Sequence, residues 1–169
     1  MKLPKPRSSR IALAQQDIIQ QQVEELLMQK AIEPSTSPFV SQVVLVKKKD
    51  TTQYRMTIDY RPLNSVTVKE NTQLPLIDDI LALATGNNFY TSIDLHSGYF
   101  QIEMDESDRW LTSFATPKGV YQWRVMPQGL AGAPATFTRA VRLLEKRVTC
   151  RLYSYLDDLL VVSDTEDSH

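Results

Sequence analysis

Apolar residues recur at helical spacing early in the chain: Ile19, Val23, Leu26 and Leu27 fall among Gln and Glu and predict an amphipathic helix over 12–30. Residues 1–10, MKLPKPRSSR, carry two prolines and four basic side chains with almost nothing to bury, and read as a mobile leader. Residues 33–38 form a turn-rich connector, and the β-branched run 39–46 reads as a strand that ends in the charged tip Lys47-Lys48-Lys49-Asp50. Alternation over 54–59 supplies a return strand, giving a hairpin with its loop at 47–53. Pro75 and Gly86 bracket a helix over 76–85. A second helix starting at Pro134 is expected to turn Phe137, Val141 and Leu144 inward and Arg139, Arg142 and Lys146 outward. Further strands are expected at 89–94, at 122–125 and on both sides of an acidic pair, in the apolar runs 150–154 and 159–162. The polar residues 164–169 read as a frayed end, and no internal repeat is present.

A length of 169 residues with 42% hydrophobic content suits one domain, taken as 11–169, with a sizeable core. The net charge of −1 argues against a bulk polycation that coats nucleic acid, but the charge is unevenly placed. Residues 1–70 hold 11 Lys/Arg against 7 Asp/Glu, and residues 71–169 hold 8 against 13. One cysteine, Cys150, excludes an intrachain disulfide, and with His96 and His169 as the two histidines it excludes an ordinary four-ligand zinc site. Cys150 reads as a small buried residue. No apolar stretch approaches the roughly 20 residues of a membrane span, and no signal-peptide centre is visible, so a soluble intracellular setting is expected.

The chemistry is concentrated in Tyr155-Leu156-Asp157-Asp158, which places two carboxylates at a hairpin tip. Like charges so close are unfavourable without a cation. Asp94, at the end of its own apolar strand, could complete a cluster for hard divalent metals and phosphoryl transfer. Aspartate is also a common solvated turn residue, which is the plainer reading of the pair taken alone.

Further stretches occur in order: Ser37-Pro38-Phe39-Val40, Leu45-Val46-Lys47-Lys48-Lys49-Asp50, Asp59-Tyr60-Arg61-Pro62-Leu63-Asn64 and Ile93-Asp94-Leu95-His96-Ser97-Gly98-Tyr99. Phe114-Ala115-Thr116-Pro117, Met126-Pro127-Gln128-Gly129-Leu130 and Ala133-Pro134-Ala135-Thr136-Phe137 follow, ahead of the acidic tetrapeptide. From about Ile11 onward the sequence resembles the reverse transcriptases of gypsy-type long-terminal-repeat retrotransposons and their retroviral relatives. The resemblance implies an α+β fold, the fingers and palm of a right-hand polymerase with helices packed on antiparallel sheet. It also implies RNA-directed DNA polymerase activity, with Asp94, Asp157 and Asp158 holding two magnesium ions, for which manganese is a possible substitute.

The same resemblance matches Lys48 and Arg55 to the fingers cations that grip the nucleotide phosphates, and Tyr99 to the aromatic that excludes a ribose 2'-hydroxyl. Gln128 matches a residue lining the nucleotide pocket, although gypsy-type elements often carry Phe there. Tyr155 is expected beside the primer end. Arg61 reads equally as a template-backbone contact or as the partner of Asp59 in a salt bridge. Each also has an ordinary structural reading: a solvated loop for Lys48, a surface cross-strand partner for Arg55, core packing for Tyr99 and a turn glutamine for Gln128. His96 reads as a solvated residue rather than a ligand.

Relatives of this kind continue into a thumb, a connection segment and an RNase H domain, so weak, distributive synthesis and uncovered apolar surface are expected of this chain. The expected partners are an RNA or DNA template, a primer, deoxynucleoside triphosphates and those further polyprotein segments, in a cytoplasmic particle or the nucleus. A noncatalytic remnant that binds nucleic acid or a protein is the competing reading. An unrelated palm-like cyclase or transferase would share the paired acids but not the ordered motif series.

Overall fold

The computed structural model describes residues 12–49, 51–68, 76–155 and 158–169. The leader expected over 1–10, the loop residue Asp50, Pro75, Leu156 and Asp157 lie outside them. In chain order the described elements are α1 (Leu13–Met28), β1 (Ile32–Pro34), β2 (Ser41–Lys47), β3 (Tyr54–Asp59), α2 (Arg61–Asn64) and α3 (Ile77–Ala84). They continue with β4 (Phe89–Asp94), β5 (Phe114–Thr116), β6 (Gly119–Trp123), α4 (Ala133–Glu145), β7 (Arg151–Tyr155) and β8 (Asp158–Ser163), an α+β set. The span expected as one domain contains two compact units, Met1–Val68 with Phe100–Ala131 and Lys69–Tyr99 with Gly132–His169.

The first unit is built on a five-stranded sheet of order β1-β6-β5-β2-β3. The hairpin expected from alternation forms in antiparallel register, Val46 opposite Arg55 and Lys47 opposite Tyr54. Its inner face contributes Val43, Leu45, Met56 and Ile58 to a core that also holds Phe39, Tyr60, Leu63, Phe114 and Trp123. Ile19 and Val23, one turn apart on α1, are fully buried in that core, which is how an amphipathic helix gains stability from tertiary packing. At the end of α1, Lys30 adopts a left-handed conformation (φ 57°). Its N–H donates to Leu27 O and that of Ala31 to Leu26 O, both at 3.0 Å, a Schellman closure that satisfies the last helical carbonyls.

Two strands of this sheet escaped the sequence reading. The turn-rich connector begins with β1, which pairs Ile32 with Trp123 and Pro34 with Tyr121. Proline is tolerated there because β1 lies at the sheet edge, where no ladder N–H is required of it. β5 is three residues long and pairs parallel to β2 and antiparallel to β6. The strand expected at 122–125 instead ends at Trp123, with Val125 bridging Glu103. At the opposite edge, β3 is covered by the Gln22 amide of α1, which donates to Tyr54 O (3.0 Å) and accepts from Met56 N–H (2.8 Å).

The second unit holds an antiparallel sheet of order β4-β8-β7. Leu159 and Val162 of the central strand are buried, as are Ile80 and Ala84 of α3 and Phe137 and Val141 of α4. Leu144 does not turn inward as expected: it is 47% exposed. The buried positions of α4 are Ala133, Ala135, Phe137, Thr138 and Val141, followed by half-buried Glu145, whose Oε1 accepts from Ser154 Oγ at 3.4 Å. Cys150 is half-buried rather than buried.

Leu76, Ile77, Leu81 and Leu83, on and beside α3, are half-exposed or more. An environment-sensitive apolar dye is therefore expected to bind the purified chain, and Ile77→Lys with Leu81→Lys to reduce its emission without changing the far-ultraviolet circular dichroism. Emission unaffected by those substitutions would place the dye's site elsewhere.

Candidate active site

In the second unit the register of the sheet decides which acids meet. β4 and β8 pair so that Asp94 stands directly opposite Asp158, and β7 and β8 pair so that Tyr155 stands opposite Asp158 from the other side. Residues paired across antiparallel strands project to one face, with Cβ atoms about 5 Å apart. Asp94, Asp158 and Tyr155 thus form one row across three strands, and both carboxylates are exposed. Asp158 is the first residue of β8. Asp157 lies outside the described residues, among which no cluster of three metal-binding side chains occurs. Two facing carboxylates offering oxygen alone nevertheless suit a hard divalent cation, which would relieve their repulsion.

Just past β4, Tyr99 lies in the short turn Gly98–Gln101 and packs its ring on Phe137 of α4, centroids 5.1 Å apart and tilted by 35°. Gly98 makes this approach possible. A Cβ there would stand 3.0 Å from Phe137 Cε2 and Cζ, closer than side chains ordinarily pack. His96 is exposed.

In the first unit, Lys48 and Arg55 lie at the loop end of the β2–β3 hairpin. Lys48 N–H donates to Gln53 O at 2.9 Å, and its Nζ reaches Gln53 Oε1 at 3.4 Å. Arg55 is opposite Val46. Continuing the strand alternation by two residues puts Lys48 on the same exposed face as Val46 and Arg55, so this face carries two cations side by side. Asp59, at the end of β3, accepts three hydrogen bonds from Arg61: backbone N–H at 3.1 Å and Nε at 2.8 Å on Oδ1, and Nη2 at 2.7 Å on Oδ2. The side-chain bond from Arg61 is the main reason that the Asp59 carboxyl lies below its ordinary value, and the Arg61 guanidinium is raised in return. The salt-bridge reading of Arg61 is therefore realised, while its guanidinium stays largely exposed.

Gln128 is exposed between buried Pro127 and Gly129, which adopts φ +93°, a left-handed conformation that glycine accepts without strain. No role beside these groups was legible in the sequence for three residues, Gly98, Phe137 and Asn64, although Phe137 was expected to turn inward. All three sit inside the quoted motifs, but their contacts join segments far apart in the chain and have no local signature.

The family described as reverse transcriptase (RNA-dependent DNA polymerase) matches residues 46–169. The chain is 38% identical over 156 residues to the retrovirus-related Pol polyprotein from transposon opus of Drosophila melanogaster, covering 89% of this chain and 16% of that one. It is 38% identical over 155 residues to the enzymatic polyprotein of cauliflower mosaic virus (strain Strasbourg), covering 88% and 22%. Among solved structures it is similar to native prototype foamy virus protease-reverse transcriptase, with a TM-score of 0.82 and 29% identity over 98% of this chain and 22% of that one. The chain spans less than a quarter of the length of each of these relatives. With a family match over most of its length and the same fold as a solved relative, the chain belongs to the reverse transcriptase family.

Proposed function

We propose that the chain is the fingers-and-palm portion of an RNA-directed DNA polymerase from a gypsy-type long-terminal-repeat retroelement. Its reaction is deoxynucleotidyl transfer to a primer 3'-hydroxyl, on an RNA or DNA template. The observation that carries this reading is the ladder pairing of Asp94 with Asp158, which brings two carboxylates to one exposed face at the sheet's end. The similarity to Drosophila transposon polyproteins supports the element type.

Asp94, Asp157 and Asp158 are the residues that would hold two magnesium ions, or manganese in their place, since all three offer hard oxygen donors. When bound, such ions lower the pKa of an attacking hydroxyl and neutralise charge on a departing pyrophosphate. The chain's own side chains do the positioning. Lys48, a compact point charge, and Arg55, a planar fork, lie on one face of the hairpin and suit the triphosphate of the incoming nucleotide. Tyr99, backed by Phe137, offers a rigid ring against the sugar, where a 2'-hydroxyl would clash. Gln128 lines the nucleotide pocket, Tyr155 stands in the row of the acids beside the primer end, and Arg61 contacts the template backbone with the part of its guanidinium not bonded to Asp59. Catalysis of this kind rests mainly on positioning and charge neutralisation.

Single-nucleotide primer extension on an RNA template with magnesium, at high protein concentration, tests the reading. Extension that chelation abolishes is the expected result. A folded chain that neither extends the primer nor binds deoxynucleotide would overturn it in favour of a noncatalytic remnant.

A further inference from the structure

Asn64 closes α2 with its side chain turned onto a distant loop. Its Nδ2 donates to Gly129 O and its Oδ1 accepts from Ala131 N–H, each at 2.8 Å. The amide thus pairs with the backbone on both sides of Leu130, as a neighbouring strand would. A side chain that donates and accepts in one plane is required, and among side chains of this length only asparagine provides it. The bracket that carries Asn64 is itself fixed. Pro62 sits in the first turn of α2, Asn64 N–H donates to Tyr60 O at 2.7 Å, and buried Tyr60 anchors its hydroxyl on Thr112 O at 2.8 Å. The Tyr60 ring lies 3.6 Å from where a Cβ of Gly129 would stand, so the bracket meets the loop by packing as well as by hydrogen bonds. On the other side of Gln128, Pro127 is buried and Met126 N–H donates to Ile102 O at 2.8 Å.

Exposed Gln128 is therefore held from both sides: by burial before it and by the Asn64 clamp after it. We propose that Asn64 is a positioning residue for nucleotide selection, fixing the loop 127–131 so that Gln128 is presented to the incoming deoxynucleotide in one conformation. This rests on the polymerase reading and goes beyond it by assigning a role to a side chain outside the catalytic and nucleotide-binding set. Loss of the clamp leaves the acids and cations in place but frees the loop, so nucleotide affinity falls more than turnover. Misplacement of a positioning group by about 1 Å can lower efficiency about a hundred-fold.

The test compares the chain with Asn64→Ala and Asn64→Asp. Asparagine to aspartate keeps the acceptor for Ala131 N–H and loses the donor to Gly129 O; alanine loses both. Amide hydrogen exchange reports the clamp without any reference to activity: Ala131 is expected to lose protection in Asn64→Ala and to keep it in Asn64→Asp. Single-nucleotide extension reports the role: KM for the deoxynucleotide is expected to rise about ten- to a hundred-fold in Asn64→Ala and less in Asn64→Asp, with kcat and primer-template affinity changed less than three-fold. Unchanged exchange at Ala131 in Asn64→Ala would overturn the clamp. Lost protection with an unchanged KM, or with kcat and KM changed equally, would overturn the positioning role. Absence of extension and of deoxynucleotide binding in the unsubstituted chain, with exchange as expected, would refute the polymerase reading and this role with it, while leaving the clamp established.

Discussion

Asp158→Asn is expected to lower primer extension about a hundred- to a thousand-fold while leaving the metal-free chain as stable as before, or more stable. Asp94 and Asp158 face each other across the β4–β8 ladder, and like charges directly opposite oppose folding. Neutralising either acid relieves that repulsion, and asparagine occupies nearly the same volume. The same substitution removes a charged oxygen donor from the site, and loss of one preorganised electrostatic group lowers turnover by about 10²–10³-fold. The double variant Asp94→Asn/Asp158→Asn should leave no measurable extension. Stability and activity therefore move in opposite directions, as at a site where function opposes stability. Thermal melts with and without magnesium give a second check. A cation that binds only the folded state raises stability with its concentration, so the unsubstituted chain should gain in melting temperature on adding magnesium and the double variant should not. An Asp158→Asn chain that melts markedly lower in metal-free buffer would mean that the carboxylate has a structural partner, and undiminished extension would remove it from the site.

The sequence suggested that Asp94 joins the acidic pair, but the register that sets it opposite Asp158 was not legible there. Alternation made β4 and the strands around Tyr155 visible, and each acid could be seen at the end of a strand. Which residue of β4 opposes which residue of β8 is set by pairing between segments more than 60 residues apart, a long-range choice with no local signal. The β2–β3 hairpin was fully legible because its two strands are adjacent in sequence and its tip is charged. β1 and β5 were not, being three residues each, too short for a period to show, and β1 contains a proline that reads as a turn. Leu144 misled because it continues the apolar spacing of Phe137 and Val141, whereas in the fold the polar Glu145 takes the half-buried position after Val141. The amide clamps of Gln22 and Asn64 were invisible for a different reason. Each is a polar side chain of ordinary surface type, and its partners are backbone atoms 32–34 and 65–67 residues away.

On the proposed reading Phe137 serves both stability and sugar selection, and its removal is expected to affect both. It is 3% exposed, and truncating a buried phenylalanine to alanine costs about 3–5 kcal/mol, from lost transfer energy and the cavity left behind. Phe137→Ala should therefore unfold the second unit at a clearly lower denaturant concentration, read from circular dichroism. Phe137→Leu separates the two effects. It keeps most of the volume, at a cost of about 1.5 kcal/mol or less, but loses the flat face on which the Tyr99 ring rests at 5.1 Å. With that backing gone, Tyr99 gains rotational freedom towards Phe137, and a ribose 2'-hydroxyl meets a softer wall. The ratio of deoxynucleotide to ribonucleotide incorporation should fall in Phe137→Leu. Gly98→Ala perturbs the same contact from the opposite side: its methyl carbon would stand 3.0 Å from the Phe137 ring and 3.3 Å from Leu95 Cβ, overpacking of the kind that costs about 1–3 kcal/mol. Pressing the Phe137 ring away should alter discrimination in the same assay. Discrimination retained in full by both folded variants would show that Tyr99 selects the sugar without its support.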